Sequence, residues 1–351
     1  MKINIILPAL GKSGGIDVIY KYAQLLTEKG HDVIVYKSII SYNMKRYSNI
    51  FINTIHQIYC SIKSCFEYKN RNKVYDKYVI SVNNKSIRDA DIVFATAWPT
   101  AYLVNNLEHS KGEKYYFIQG FEVWDNEEQG LNSYNLPLKK IVISTWINNK
   151  LKEHLNIGPF PVIYNGIDKT KFYNENKHFH SEEKIQCLML NHKLPKKGVQ
   201  IGIEVFEKCR EYFPEITLKM FGLCDSNNLP EYIDYIQNPN DDDLIKLYSE
   251  SDIFIFPSIE EGWGLTPLEA MACKCAVVAS KTGFVLDIST NYENILISDP
   301  GDKEMMVKNL MMLIKDSKLR NQISISGYEL TSGLSWEKSV NKLIKLLEDK
   351  I

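Results

Sequence analysis

Short apolar runs recur along the chain, and between them lie longer stretches in which apolar residues return every three or four positions. The runs at 3–7, 32–36, 91–96, 114–118, 140–144, 161–164, 185–190, 217–222, 253–256 and 275–279 are too short for helices. They read as buried parallel strands, whose two covered faces remove the usual alternation. Helical spacing separates them, as with Val18, Ile19, Ala23 and Leu26 after the first run, or Ile201, Ile203, Val205 and Phe206 after the seventh. Strand and helix in regular alternation predict α/β architecture with doubly wound sheets. At 351 residues the chain is long enough for two such domains, with apolar-patterned helices over 302–348 closing it.

One stretch concentrates candidate chemistry. The strand over 253–256 is stopped by Pro257, and Gly262 and Gly264 follow in a loop that lets a ligand approach the backbone. Thr266-Pro267 then reads as a helix opening, with Thr at the N-cap and Pro at the first helical position. The free amides of Gly264, Leu265 and Thr266, together with the helix dipole, favour an anion such as phosphate. Glu261 precedes the turn and Glu269 falls in the first turn of the expected helix, so the two carboxylates would frame one ligand. A sugar nucleotide suits that arrangement, and an ordinary strand-turn-helix with solvated glutamates is the alternative.

Other strand ends supply further candidates. Gly14 and Gly15 sit where the first loop meets a helix, followed by Ile16, but GxGxxG is absent, which disfavours a redox dinucleotide. The loop at 97–100 carries Trp98, and 119–125 carries Gln119 and Glu122, which also read as plain loop hydrogen-bonders. Positive charge gathers at 191–198, including His192, Lys193 and Lys197. Asn238 lies in a turn before a helix, and Asp241, Asp242 and Asp243 are better explained by capping and dipole compensation than by a metal. The polar segment 174–183 reads as an interdomain linker.

Charge and cysteine usage narrow the class. A formal net charge of −1 recommends no nucleic-acid partner. Seven scattered cysteines fit reduced thiols, and the sequence has neither a signal-peptide pattern nor a spanning stretch, so a cytoplasmic protein is expected. Locally, 42–78 is basic: Lys45, Arg46, Lys63, Lys69, Arg71, Lys73 and Lys77 outnumber Glu67 and Asp76. Tyr47, Phe51, Ile55, Ile58, Ile62 and Phe66 fall on one helical face there. That face would either lie on an anionic membrane surface or pack into the first domain.

The run Glu261-Gly262-Trp263-Gly264-Leu265-Thr266-Pro267-Leu268-Glu269-Ala270-Met271-Ala272 resembles the E-x7-E pattern of the family-4 retaining glycosyltransferases. The resemblance implies the GT-B fold, two Rossmann-like domains facing across a cleft. Residues 1–168 would form the acceptor-side domain, joined by the returning helix 336–351, and 169–335 the nucleotide-sugar domain. It also implies roles: Glu261 on the donor sugar, Glu269 on the ribose hydroxyls, and Gly262 and Gly264 to Thr266 on diphosphate and sugar. Lys197 matches a diphosphate-binding lysine, while the earlier arginine of that loop is replaced by His192, or by Lys193 with a one-residue slip. Gly14, Gly15 and Ile16 would face the donor phosphates and Asn238 the base, with Gly283 and the region of Asn294 completing that side. Gln119 stands where many relatives carry His, so Gln119, Glu122 and Trp98 are acceptor-side candidates without an assigned base. The implied activity is metal-free hexosyl transfer from a nucleoside diphosphate sugar to an acceptor hydroxyl, in surface-polysaccharide or lipid-linked glycan synthesis. A GT-B epimerase or phosphorylase, or a non-catalytic accessory subunit, would share the fold.

Overall fold

The computed structural model describes residues 1–8, 13–39, 49, 51, 52, 54–56, 58, 59, 62, 74–174, 177, 184–227 and 229–349. The chain forms two units, one of Met1–Tyr164 with Trp336–Ile351 and the other of Asn165–Ser335. The passage between them thus falls after Tyr164, four residues before the break expected at Asp168. The turn Asn165 to Asp168 belongs to the second unit, where Ile167 bridges to Ser335. Asn174 and Lys177, expected in a linker, also lie in that unit, and the rest of 175–183 lies outside the described residues.

In the first unit the elements run β1 (Lys2–Leu7), α1 (Gly14–Glu28), β2 (Asp32–Ser38), β3 (Tyr75–Val79), β4 (Ile92–Ala95), α2 (Trp98–Asn105), β5 (Glu113–Ile118), α3 (Glu127–Ser133), β6 (Lys139–Val142) and α4 (Thr145–Leu155). The sheet order is β3-β2-β1-β4-β5-β6, with every pairing parallel. β3 escapes the hydrophobic pattern because its polar residue faces inward. Asp76 accepts from Tyr20 Oη at 2.8 Å and lies 3.5 Å from the buried Lys37 ammonium. Residues 161–164, expected as a strand, contribute only the bridge between Val142 and Val162. The C-terminal helix, Trp336–Glu348, returns to this unit. Its Trp336 ring meets Tyr22 edge-on at 5.5 Å, and Ser339 Oγ donates to the Tyr164 carbonyl at 2.6 Å.

The second unit repeats the plan with β7 (Gln186–Asn191), a 3₁₀ turn (Pro195–Lys197), α5 (Val199–Arg210), β8 (Thr217–Gly222), β9 (Asp234–Gln237), α6 (Asp241–Glu250), β10 (Ile253–Phe256), α7 (Leu265–Ala272), β11 (Ala276–Ser280), α8 (Val285–Ile288), β12 (Leu296–Ser298), α9 (Lys303–Lys315) and α10 (Ser317–Ser332). Its order is β12-β11-β10-β7-β8-β9, again parallel. β10 and β11 are buried along their whole length, as their uninterrupted apolar runs require. Counted from each unit's first strand, both sheets have the order 3-2-1-4-5-6. The direction of winding reverses between β1 and β4 in one and between β7 and β10 in the other. Ligands of open parallel sheets bind at the strand C-termini beside such a reversal.

The basic segment is only partly described. Helical residues Phe51, Ile52, Ile55, Ile58, Tyr59 and Ile62 are exposed, so these described residues of the segment are not packed into the first domain. Lys77 lies in β3, while Tyr47 and Phe66, and the cations Lys45, Arg46, Lys63, Lys69, Arg71 and Lys73, lie outside the described residues. No helix among the described residues is long and apolar enough to cross a membrane.

Candidate functional site

At the reversal of the second unit, two loops are fastened together by the backbone. The Lys196 carbonyl accepts from the amides of Ile259 at 2.8 Å and Glu260 at 3.2 Å, tying the turn after β7 to the loop after β10. Gly198 closes this contact. Its φ is +65°, and a Cβ there would stand 2.0 Å from the Pro257 carbonyl oxygen, so no other residue fits without moving backbone. Lys197 is thereby brought against Glu261, and their side chains form a half-buried ion pair.

The loop enters α7 differently from the sequence expectation. Gly264, in the left-handed region at φ 98°, is the N-cap, so the helix begins at Leu265 and Thr266 and Pro267 are its second and third residues. Thr266 therefore makes no side-chain cap. Leu265 and Thr266 supply first-turn amides with no acceptor inside the helix, and Pro267 has no amide to leave unpaired. Glu269 falls in the second turn, half-buried, where its Oε2 accepts from Tyr248 Oη at 2.9 Å. Gly262 is buried beside Glu261, and the Trp263 carbonyl accepts from Phe284 N at 2.8 Å, which fastens the loop after β11 as well. Gly283 lies in that loop, and buried Asn294 caps a turn by accepting from Thr290 N at 3.0 Å.

His192 joins the Lys197–Glu261 pair and Lys193 does not. Burial, and then the Lys197 charge, pull the His192 imidazole below its ordinary value against the opposing pull of Glu261. It is neutral at pH 7. Nδ1 accepts from Leu194 N at 3.0 Å, which leaves the proton on Nε2 as a donor. Lys193 is exposed and pairs with Asp225 at 2.9 Å. Lys197 is thus the cation paired with Glu261 beside the neutral imidazole, on which Lys196 acts more weakly. Asn238 is exposed, with φ 49°, and donates its amide to the Gly222 carbonyl at 2.7 Å. Asp241 to Asp243 form the first turn of α6, whose N-cap is Asn240.

In the first unit, the N-terminus of α1 meets the loop after β5. Ser13 caps the helix by accepting from Ile16 N, whose side chain is buried, and a Cβ on Gly15 would lie 3.5 Å from the Gln119 amide nitrogen. Gly14 is exposed, and a Cβ there would meet nothing within 4 Å. Glu122 is committed elsewhere: its carboxylate accepts from the Trp98 amide at 2.9 Å, the first turn of α2, and from Tyr116 Oη at 3.4 Å. Trp98 corrects the sequence expectation. It is fully buried, with its indole donating to the Trp124 carbonyl at 3.1 Å, and offers no surface to an acceptor.

Residues 171–330 match the family model described as Glycosyl transferases group 1. The matched region contains Lys197, Glu261 and Glu269. An uncharacterized glycosyltransferase of Methanocaldococcus jannaschii is 27% identical over 216 residues, which is 60% of this chain and 59% of that protein. The capsular polysaccharide biosynthesis glycosyltransferase CapM of Staphylococcus aureus is 26% identical over 196 residues, 50% of this chain and 51% of its own. The chain thus spans little more than half the length of these relatives. Among solved structures, a sucrose-phosphate synthase of Thermosynechococcus elongatus superposes with a TM-score of 0.74 at 15% identity, covering 99% of this chain and 98% of that one. Anabaena HepE in complex with UDP and glucose superposes at 0.73 and 15%, each chain covered completely. The fold is GT-B.

Three features of the site were not read from the sequence: the fastening of Lys196 to 259–260, the neutral His192, and Tyr248 behind Glu269. Only the first had a local signal, the glycine at 198 directly after Lys197.

Proposed function

We propose that this protein is a retaining glycosyltransferase that moves a hexosyl group from a nucleoside diphosphate sugar to an acceptor hydroxyl, in the assembly of a bacterial surface polysaccharide or lipid-linked glycan. The observation that carries this reading is the half-buried Lys197–Glu261 pair beside the first-turn amides of α7, within the region matched to group 1 glycosyltransferases. The relatives' names and the UDP and glucose bound to HepE support it.

A bound diphosphate would receive hydrogen bonds from Leu265 and Thr266, and Lys197 would meet the negative charge that grows as the leaving group departs. Glu261 orients the sugar, Glu269 accepts from the ribose hydroxyls, and His192 Nε2 is available as a neutral donor. The acceptor oxygen forms its bond to the anomeric carbon on the face from which the phosphate leaves. As the bond from that carbon to the phosphate oxygen breaks, the acceptor's proton passes to the departing phosphate. No metal takes part in this reading, because Lys197 and the helix amides supply the positive partners. Proton NMR of the transfer reaction should show the product keeping the donor's anomeric configuration, at a rate unchanged by EDTA. Inverted product, or chelation that Mg²⁺ or Mn²⁺ reverses, would refute the mechanism.

The same reading places the enzyme on the cytoplasmic face of an anionic membrane. Its support is the exposed stripe in which Phe51, Ile55 and Ile62 are 77%, 67% and 54% exposed, within a sequence carrying seven basic residues against two acidic ones over 42–78. Basic residues near an anionic leaflet contribute about 1 kcal/mol each, enough in combination for reversible attachment. The protein is expected to co-sediment with vesicles containing anionic phospholipid at low salt, and to be released by high salt. The triple variant Phe51→Ser, Ile55→Ser and Ile62→Ser should bind less. Wild-type protein remaining in the supernatant at low salt contradicts a bilayer partner.

A further inference from the structure

Tyr248 is a fully buried side chain with one polar atom, and that atom is spent on Glu269. Its ring is held by three aromatic neighbours, edge-on to Phe172 at 5.9 Å and Phe221 at 5.7 Å and tilted against Phe254 at 6.0 Å. The end of its helix is clamped too. Lys177 donates to the Ser249 carbonyl at 2.8 Å and to that of Ser251, a cation at a helix C-terminus, and Asn174 Nδ2 donates to Ser249 O at 3.3 Å. Cys275 Sγ, from the entrance to β11, contacts the carbonyl of Tyr248 itself at 3.0 Å. Ring, helix end and backbone are all fixed, so the phenol oxygen has one place to be.

From there it donates to Glu269 Oε2 at 2.9 Å. Burial first, and the Glu269 charge second, hold the phenol well above its ordinary value, so Tyr248 stays a neutral donor at working pH. A carboxylate offers about four lone-pair sites, and the bond from the immobile Tyr248 phenol takes one of them and restricts how the group can turn. Two adjacent hydroxyls on a ring demand a carboxylate restricted in this way, whereas one hydroxyl can follow a carboxylate that rotates. A site is selective for a group it hydrogen-bonds when its own partner atoms are held in place.

We propose that Tyr248 is a positioning residue that sets the Glu269 carboxylate for the vicinal diol of the donor's ribose, and so makes the site selective for ribonucleotides over deoxyribonucleotides. The proposal rests on the assignment of Glu269 to the ribose given above. It requires no contact between Tyr248 and the nucleotide.

Tyr248→Phe keeps the ring and removes only the donor. Isothermal titration of wild type with ADP, GDP and UDP identifies the preferred diphosphate, which is then compared with its 3′-deoxy counterpart in wild type, Tyr248→Phe, Glu269→Ala and the double variant. Losing a hydrogen bond to a charged group that orders the site should weaken ribonucleotide binding about tenfold, with the deoxy compound within about twofold of wild type. In the Glu269→Ala background the Tyr248 substitution should add nothing. Thermal midpoints measured alongside confirm that folded proteins are compared. Undiminished selectivity in Tyr248→Phe, or an equal fall for both nucleotides, overturns the positioning role while leaving nucleotide binding intact. If wild type binds none of the three diphosphates, the functional reading fails and takes this inference with it.

Discussion

Replacing Lys197 by alanine should lower the turnover of glycosyl transfer by about 10²–10³-fold, the range seen when one preorganised charge-stabilising donor is removed from an active site. The large effect follows from Lys197 being the cation paired with Glu261. Burial, the largest cause that holds the His192 imidazole down, persists when Lys197 is gone, and Lys193 is turned outward to Asp225, so neither replaces the lost charge. Donor affinity should fall less than turnover, because charge on the leaving oxygen is greatest in the transition state. Lys197→Arg should recover only part of the rate, since a planar guanidinium does not reproduce a compact ammonium against Glu261. Steady-state kinetics on folded variants decide this. A Lys197→Ala turnover within about threefold of wild type would remove the residue from the chemistry.

Much of the architecture was legible because parallel strands are buried on both faces and write themselves as apolar runs. The pattern at 253–256 and 275–279 and the glycines between them pointed to the candidate site. What escaped has physical reasons. β3 carries Asp76 on an inward face, where Tyr20 and Lys37 satisfy it, so its composition resembles a solvated loop. β12 is three residues long, below what periodicity can register. The start of α7 was misplaced by two residues because Thr266-Pro267 imitates a cap, whereas a glycine able to adopt φ 98° two positions earlier opens the helix without one. In sequence Trp98 resembles a loop residue near an acceptor, but its indole has a buried backbone partner in Trp124, and an aromatic with a satisfied N–H belongs in the interior. Tyr248 was invisible in principle. Nothing in the sequence pairs an aromatic on one helix with a glutamate on the next; only the packing of α6 beside α7 does.

Glu269→Ala carries the second large effect, on binding rather than turnover. Its carboxylate is half-buried and fixed by Tyr248, so ribose hydroxyls that bond to it gain a preorganised, charged acceptor, and truncation should weaken the donor by about 10–100-fold. The variant leaves Lys197, Glu261 and the amides of α7 in place, so the proposed diphosphate contacts should persist and weak binding should remain measurable.

On the proposed function, the loop from Glu261 to Glu269 holds the nucleotide of a diphosphate sugar. Isothermal titration of wild type and Glu269→Ala with UDP-glucose, GDP-mannose and UDP-N-acetylglucosamine decides this. Wild type should show saturable one-site binding of at least one donor without added metal, and the folded variant a dissociation constant about 10–100-fold higher for that donor. No binding to wild type, or equal affinity in the two proteins, would contradict it.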